Sequence, residues 1–362
     1  MNRNIKKTFR VVLFAGSLYT FLLSINLLGE GLKLLGQGFI ENLISLTSNP
    51  FLGLVIGIFT TAIVQSSSAT TSITVGLVAA GVISINNAIP IIMGANIGTT
   101  ITNTLVSMSH ITRKNEFQRA FPAAMLHDFF NVLTVLVVFP LEIKFNLPER
   151  FSGYLTGIFA NVGGTSITSP LKYVIAPVNT QLIKLFGSHG WILIIFALVL
   201  LFVALKFLVD SMKAITTRRL ELLIDRYLFG SWVQSFVIGA MITSLIQSSS
   251  VTTSLVVPLI GAGILTIYKV FPYMVGANLG TTITAILAAL AVGGPLGIQI
   301  AFAHFGFNLI GAGIWLPLKI VPIKIALLFG KLAGKSRAIA LVYIIVLFYV
   351  VPLIIFFAAK LK

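Results

Sequence analysis

The sequence predicts an all-α polytopic membrane protein made of two inverted-topology repeats, each holding a re-entrant helical hairpin and a broken transmembrane helix. Three observations predict it. The 362 residues are 57% hydrophobic and only 9% charged, with a mean hydropathy of +1.02, whereas an average soluble domain is about 25% charged. The string Gln65-Ser66-Ser67-Ser68-Ala69-Thr70-Thr71-Ser72 returns as Gln247-Ser248-Ser249-Ser250-Val251-Thr252-Thr253-Ser254. Amides and hydroxyls are costly in hydrocarbon without partners, so a polar cluster planted twice in an apolar chain marks a binding site shared between repeats.

The first apolar stretch, near 11–36, follows Arg3, Lys6, Lys7 and Arg10. It runs too long, and lacks the small-x-small stop, for a cleaved signal peptide, so it is read as a helix. From Phe51 to Gln65 the chain has 15 residues, or about 22 Å of helix, too short for a hydrocarbon core of about 30 Å. The stretch Ser66 to Gly81 is similar. The two are arms of a hairpin, about 51–83, with Gln-Ser-Ser-Ser at its tip. Ser66–Ser68 are good N-cap residues, and the free N–H groups and positive dipole end of the second arm suit an oxyanion.

A helix near 87–108 follows, and Asn96-x-Gly98-Thr99-Thr100 is expected to break it. Unwound carbonyls and hydroxyls at such a break suit sodium. A helix near 119–142 closes the first half. The linker, 143–187, contains Pro148, Gly163-Gly164, Pro170 and Pro177 and has no convincing span. The second half then supplies a helix near 190–212, a hairpin at about 233–265 and helices near 268–292 and 298–318. A last helix lies near 338–358. The expected division is therefore 1–142, 143–187, 188–320 and 321–362.

Internal identity supports that division. Residues 51–105, moved along by 182 positions, fall on 233–287 with about half of them identical, a strong repeat signal. Asn96 meets Asn278, and His127-x-x-x-Asn131 meets His304-x-x-x-Asn308 at an offset of 177. Three crossings in the first half start the second from the opposite face, which makes the repeats inverted and permits alternating access to a midplane site. The count of seven crossings puts the termini on opposite sides, a parity that one more segment in 150–187 or 321–335 reverses.

The net charge of +16 invites a nucleic-acid reading, which the placement of the charge excludes. The 25 Lys and Arg lie between helices, in clusters at Arg3–Arg10, Arg113–Arg119, Lys213–Arg226 and Lys319–Arg337. With the N-terminus cytoplasmic, all four fall on the cytoplasmic side, as membrane topology prefers. The chain has no cysteine, which removes disulfides, thiolate ligands and cysteine nucleophiles. It has no Gly-x-Ser-x-Gly elbow and no histidine beside either serine cluster, so an intramembrane serine hydrolase is disfavoured. A channel would more naturally repeat such loops around a pore axis.

Single residues sort by the same reasoning. Asp128, an acid inside an apolar helix, is a functional candidate by default. His127 and His304 read as structural, each bonding a neighbouring helix or the Asn one turn on. Asn96 and Asn278 divide evenly between sealing a helix break and coordinating an ion. Gly53, Gly57 and Gly239 read as close-approach positions between helices. Glu30, Lys33 and Asp210 sit at helix ends, where pairing or snorkelling is the ordinary explanation.

The paired Gln-Ser-Ser-Ser hairpins resemble the type II sodium-dependent phosphate cotransporter family. So do Pro90-Ile91-Ile92-Met93-Gly94-Ala95-Asn96-Ile97-Gly98-Thr99, Phe117-Gln118-Arg119-Ala120-Phe121 and His127-Asp128-Phe129-Phe130-Asn131. The similarity covers nearly the whole chain. It implies coupled movement of sodium and inorganic phosphate across a lipid bilayer, with no organic cofactor. By position, Gln65, Ser66, Ser67, Gln247, Ser248 and Ser249 would line the phosphate and sodium sites, with Ser68 and Ser250 beside them on the phosphate side. Thr281 and Thr284 match threonines that hold sodium with the second Gln-Ser motif; Thr70, Asn96, Thr99, Thr100 and Asn278 complete the sodium candidates. Arg119 matches the second arginine of the family's Phe-Arg-Arg-Ala-Phe segment, and Gln118 replaces the first, so a guanidinium contact to phosphate rests on Arg119 alone.

In that family an aspartate at the position of Asp128 marks electrogenic members carrying three sodium ions. Of the two small residues such members have upstream, Ala124 fits and Pro122 departs. The chain lacks an Asn-x-Ser/Thr sequon and the long inter-repeat loop of animal members, which implies a compact bacterial version in the inner membrane. The sequence leaves open homo-oligomer formation and the choice between phosphate and another oxyanion.

Overall fold

The computed structural model describes residues 3–35, 47–108, 110–163, 170–187, 189–215 and 231–360. Among them every regular element is helical. The first half comprises α1 (Arg3–Leu34), α2 (Pro50–Val64), α3 (Ser67–Ala79), α4 (Ile85–Gly98), α5 (Ile101–Met108) and α6 (Lys114–Phe145). Next come α7 (Leu147–Gly163), α8 (Pro170–Phe186) and α9 (Gly190–Ile215). The remainder is α10 (Trp232–Ile246), α11 (Ser249–Ser254), α12 (Val256–Gly261), α13 (Ile267–Val292), α14 (Pro295–Trp315), α15 (Ile320–Lys335) and α16 (Arg337–Ile345). The last of these runs through a π-helical turn, Val346–Val350, into α17 (Val351–Lys360).

Six described stretches are long and apolar enough to cross a membrane: Val12–Leu34, Ile85–Met108, Lys114–Phe145, Ile267–Val292, Pro295–Trp315 and Arg337–Ala359. The seventh expected crossing is helical as α9, and its Gly190–Ala204 part counts among the shorter apolar helices together with Pro50–Val64, Trp232–Ile246 and Ser249–Gly261 of the hairpins. Ile63, Leu136, Ile195 and Ile354 are exposed. Thr61, Thr71, Ser72, Asn103, Thr104, Asp128 and Asn131 are fully buried. Apolar side chains outside and hydroxyls, amides and an acid inside are the arrangement a hydrocarbon solvent selects.

Local signals set the helix boundaries. Asn49 caps α2 by accepting from Phe51 N, with Pro50 at the first position, where no N–H is needed. Ser84 caps α4 through Asn87 N, and Ser231 caps α10 through Gln234 N.

The first arm of each hairpin is held tightly against the helix that follows the hairpin. Gly57 on α2 meets the backbone carbonyl of Ile91 on α4, and Gly94 on α4 meets that of Leu54, both too close to admit a Cβ. The same contacts recur 182 residues on: Gly239 against Tyr273, and Gly276 against Phe236. Glycine there allows backbone-to-backbone packing, the usual glue of apolar helices that gain nothing from hydrophobic exclusion in lipid.

Two buried apolar clusters result. One gathers α1–α4 and α9 with the C-terminal part of α6 and of α13; the other gathers α10, α12 and α15 with the N-terminal part of α6 and of α13. Helices α6 and α13 therefore tie the two clusters together.

The segment 143–187, read as a linker without a convincing span, contains two helices, α7 and α8, of 17 residues each. Pro148 and Pro170 fall in the first turns of these helices, where proline is tolerated, and Phe151 packs its ring against Gly306 of α14. A helix, α15, also fills 320–335; its Gly330 receives the ring of Pro122, and its Gly334 receives Gln118.

One expectation is corrected, that of a broken helix in each half. In the first half the break is real: α4 ends at Gly98, α5 begins at Ile101, and Thr100 N and Oγ1 both bond Ile97 O, at 3.1 and 2.8 Å. In the second half α13 runs without a break through Asn278 and Thr282. The run Ala285-Ile286-Leu287-Ala288-Ala289 after the motif consists mostly of strong helix formers, where the first half has Asn103 and Thr104. The interruption in the second half instead lies in the hairpin, at Leu255. Pro258 cannot donate to the carbonyl of Ser254; its counterpart in α3 is Gly76. Gly164 and most of the Lys213–Arg226 cluster lie outside the described residues.

Candidate functional site

Both hairpins turn on a glutamine in the left-handed region, Gln65 at φ 55°, ψ 30° and Gln247 at φ 57°, ψ 28°. This conformation costs a residue with a Cβ roughly 1–2 kcal/mol, and glycine would adopt it freely. Finding Gln at both turns means the side chain is worth that cost, and such strain gathers at functional positions. Each Gln N–H closes its arm on a threonine carbonyl, Thr61 O at 2.7 Å and Thr243 O at 2.6 Å. Ser66 and Ser248 follow in extended conformation and cap the second arms, their hydroxyls accepting from Ala69 N at 3.2 Å and Val251 N at 3.3 Å.

The two tips touch. Ser68 Oγ donates to the backbone carbonyl of Gln247 at 2.8 Å. At the break between α4 and α5, Thr99 Oγ1 donates to Ser67 Oγ at 2.9 Å and lies 3.4 Å from Ser250 Oγ. Hydroxyls from both hairpins and from the first-half break therefore share one buried polar centre. Ser67, Ser68, Ser249, Ser250, Thr99 and Gln247 are all buried there. Gln65 remains exposed, whereas Gln247 is 5% exposed and its Oε1 has no partner among the described residues.

A hydrogen-bonded chain of buried side chains flanks this centre. Asn103 exchanges hydrogen bonds with Thr253 Oγ1, at 2.7 and 3.0 Å, and contacts His127 Nδ1 at 2.9 Å. His127 Nε2 bonds Asn278 Oδ1, and Asn278 Nδ2 donates to Asn131 Oδ1 at 2.8 Å. His127 is thus paired with neighbouring helices rather than with Asn131 one turn on. On the opposite side Asn308 Nδ2 donates to Asn96 Oδ1 at 3.3 Å, while both ring nitrogens of His304 lack partners among the described residues. Asn96 Nδ2 donates to Ile92 O at 2.8 Å. Both amides, Asn96 and Asn278, are engaged in joining helices.

The other predicted site residues are distributed as follows. Thr70 Oγ1 accepts from Thr61 at 2.9 Å across the first hairpin. Thr281 Oγ1 donates to Ala277 O at 3.2 Å, and Thr284 Oγ1 is buried without a partner among the described residues. Asp128 is fully buried; Thr104 and Tyr343 each donate to its Oδ2 at 3.0 Å, and its Oδ1 accepts from no described residue. Arg119 is not brought to the tips. It is exposed near the start of α6, beside Gly263 in the turn after α12, about 18 Å of helical arm from the Gln247 turn.

The sequence reading missed Asn103, Thr253 and Tyr343. Asn103 carried a signal, because it lies seven residues after Asn96 and so shares a helical face with it, within an apolar segment. Nothing local marked Thr253 or Tyr343 as partners of residues 150 and 215 positions away.

The model of the Na+/Pi-cotransporter family matches residues 20–146 and 200–330, which include both hairpins. The chain belongs to the Na+/Pi-cotransporter family. Sodium-dependent phosphate transport protein 2B of Pongo abelii and of Homo sapiens are each 32% identical to it over 448 residues, covering 96% of this chain and 65% of theirs. Sodium-dependent phosphate transport protein 2A of Rattus norvegicus is 33% identical over 432 residues, covering 97% of this chain and 68% of its own length. The chain thus spans about two thirds of the length of these curated relatives. No solved structure matches it.

Proposed function

We propose that this family member is a secondary carrier, not an enzyme, that moves inorganic phosphate into the cell with sodium, by alternating access between two inverted repeats, 1–142 and 188–320. The observation that carries the reading is the contact between the tips, Ser68 Oγ to Gln247 O, which gathers two copies of one polar motif around one point. Phosphate is held by Gln65, Ser66, Ser67, Ser68 and by Gln247, Ser248, Ser249, Ser250, with N–H groups at the start of the second arms as further donors. Sodium is held by hydroxyl and carbonyl oxygens around the same tips, including Thr99, Thr281 and Thr284. Bringing the anion in with its counter-ions lowers the cost of placing charge in a low-dielectric interior.

The unequal exposure of Gln65 and Gln247 supports a state in which the first tip is open and the second closed. Arg119, distant from the tips, serves on the approach to the site rather than in it. Asp128 supplies a third sodium position and makes transport electrogenic; each extra charge moved adds about 2.3 kcal/mol per 100 mV to the driving force. The N-terminus is cytoplasmic and the membrane is the bacterial inner one.

Sodium-driven phosphate uptake into proteoliposomes, clamped at two membrane potentials, tests this reading. The expected result is saturable uptake that requires both ions and rises with an inside-negative potential. Phosphate uptake that proceeds equally without a sodium gradient overturns it. In Asp128→Gly the voltage dependence is expected to fall; an unchanged response removes the third sodium.

A further inference from the structure

The acid at position 128 has a partner from outside both repeats. Tyr343 lies on α16, and its hydroxyl donates to Asp128 Oδ2 at 3.0 Å. Thr104 donates to the same oxygen, also at 3.0 Å. Both donors therefore sit on one side of the carboxylate; the Thr100 hydroxyl also faces Asp128 but donates to Ile97 O at 2.8 Å, and Oδ1 is left buried without a donor among the described residues. A buried carboxylate oxygen without a hydrogen-bond donor is strongly destabilised, and a cation is the natural complement in such a place.

The phenol is held where it is. Its ring packs against Phe121 and Phe129 of α6, with centroids 6.1 and 6.3 Å away, and against Phe329 of α15, 5.6 Å away. The π-helical turn at Val346–Val350 begins three residues later, and such turns often occur at functional positions. The position in the second half that corresponds to Asp128 is Phe305, so the C-terminal helix meets an acid only in the first half.

We propose that Tyr343 is a positioning residue: by fixing Oδ2 it turns Oδ1 of Asp128 toward the sodium ion and sets the affinity of that site. This rests on the reading of Asp128 as a sodium ligand. Removing the hydroxyl frees the carboxylate to rotate, so sodium is bound by a less ordered group. Phosphate binding at the hairpin tips is not touched directly.

Sodium activation of phosphate uptake, measured in proteoliposomes at saturating phosphate, tests this in a cycle of wild type, Tyr343→Phe, Asp128→Asn and the double variant. Tyr343→Phe retains the ring and its phenylalanine contacts. It is expected to raise the half-activating sodium concentration about threefold to tenfold, the range for losing one ordinary hydrogen bond. Half-saturation by phosphate at saturating sodium is expected to stay as in wild type. In the Asp128→Asn background the same substitution should add no further shift; a merely structural tyrosine would shift both backgrounds alike.

Where a variant does not transport, the sodium-dependent rise in melting temperature of the purified protein supplies the same cycle. A sodium response of Tyr343→Phe within twofold of wild type, or an equal shift in both backgrounds, overturns the proposal. If Asp128→Asn shifts sodium activation while Tyr343→Phe does not, only the positioning role fails. An unshifted Asp128→Asn removes the sodium reading of Asp128 and the positioning role together.

Discussion

The two hairpins have nearly the same backbone at their tips and different surroundings. Gln65 and Gln247 differ by about 2° in φ and in ψ, and the glycine contacts behind them repeat at a constant offset. Beyond this shared frame the halves diverge. The first breaks its following helix at Thr99–Thr100 and keeps α3 whole; the second keeps α13 whole and interrupts its hairpin at Leu255. Asn103 pairs with His127, but its counterpart is Ala285, and His304 has no ring partner among the described residues. Asp128 faces Tyr343, whereas its counterpart is Phe305. Duplication supplied the scaffold twice; the acid Asp128 was placed in one half only, and the extended hydrogen-bonded chain runs through His127 of the first half to Thr253 and Asn278 of the second, with no counterpart around His304 among the described residues.

The comparison can be broken most severely at the glycines. Gly94→Leu and Gly276→Leu force a side chain into the carbonyls of Leu54 and Phe236. Overpacking against backbone has little room to relax, so loss of monodisperse protein on size-exclusion chromatography is expected for both. A variant that stays folded in one half would show that the shared frame is needed only in the other.

Gln65→Ala and Gln247→Ala are each expected to lower sodium-driven phosphate uptake about 100-fold or more, the effect of losing about 3 kcal/mol of interaction. Melting temperatures should stay near that of wild type, because alanine retains the helical arms on either side. Normal uptake in one of the two would mean the tips do not share a single substrate.

Smaller and opposed effects are expected at the two histidines. His127→Phe leaves Asn103 and Asn278 with lost partners, which should cost about 1–3 kcal/mol in thermal unfolding. His304→Phe removes two ring nitrogens that have no described partner and should be neutral or stabilising. Equal losses at both sites would remove the asymmetry claimed here. The smallest effect is expected at Pro258→Ala, which restores an N–H to the interrupted arm; a stabilisation of about 1 kcal/mol or less, read from the melting curve, would fit its role as the cause of the interruption.

Much of this was legible in the chain because duplicated and periodic features survive in one dimension. The hairpins, the cap at Ser66, the apolar spans and the break at Thr99–Thr100 follow from residue types and arm lengths. The helices at 147–163 and 320–335 were legible only as places where one more segment could lie. Each is too short and too mixed to announce itself, and prolines in the first turn of α7 and α8 read as loop signals. The expected break in α13 failed because the same Asn-x-Gly-Thr-Thr motif is followed by helix formers in one copy and by Asn103 in the other.

By itself the sequence determined that the molecule is helical, membrane-spanning and twofold in plan, because hydrocarbon leaves a polar backbone few choices and repeats leave matching letters. Tertiary structure alone decided which side chains meet. Ser68 finds Gln247, Asn103 finds Thr253 and Asp128 finds Tyr343 only after helices far apart in the chain are packed together. Hydrogen bonds at that separation leave no periodic trace in a sequence, since they depend on the crossing of helices and not on spacing within one.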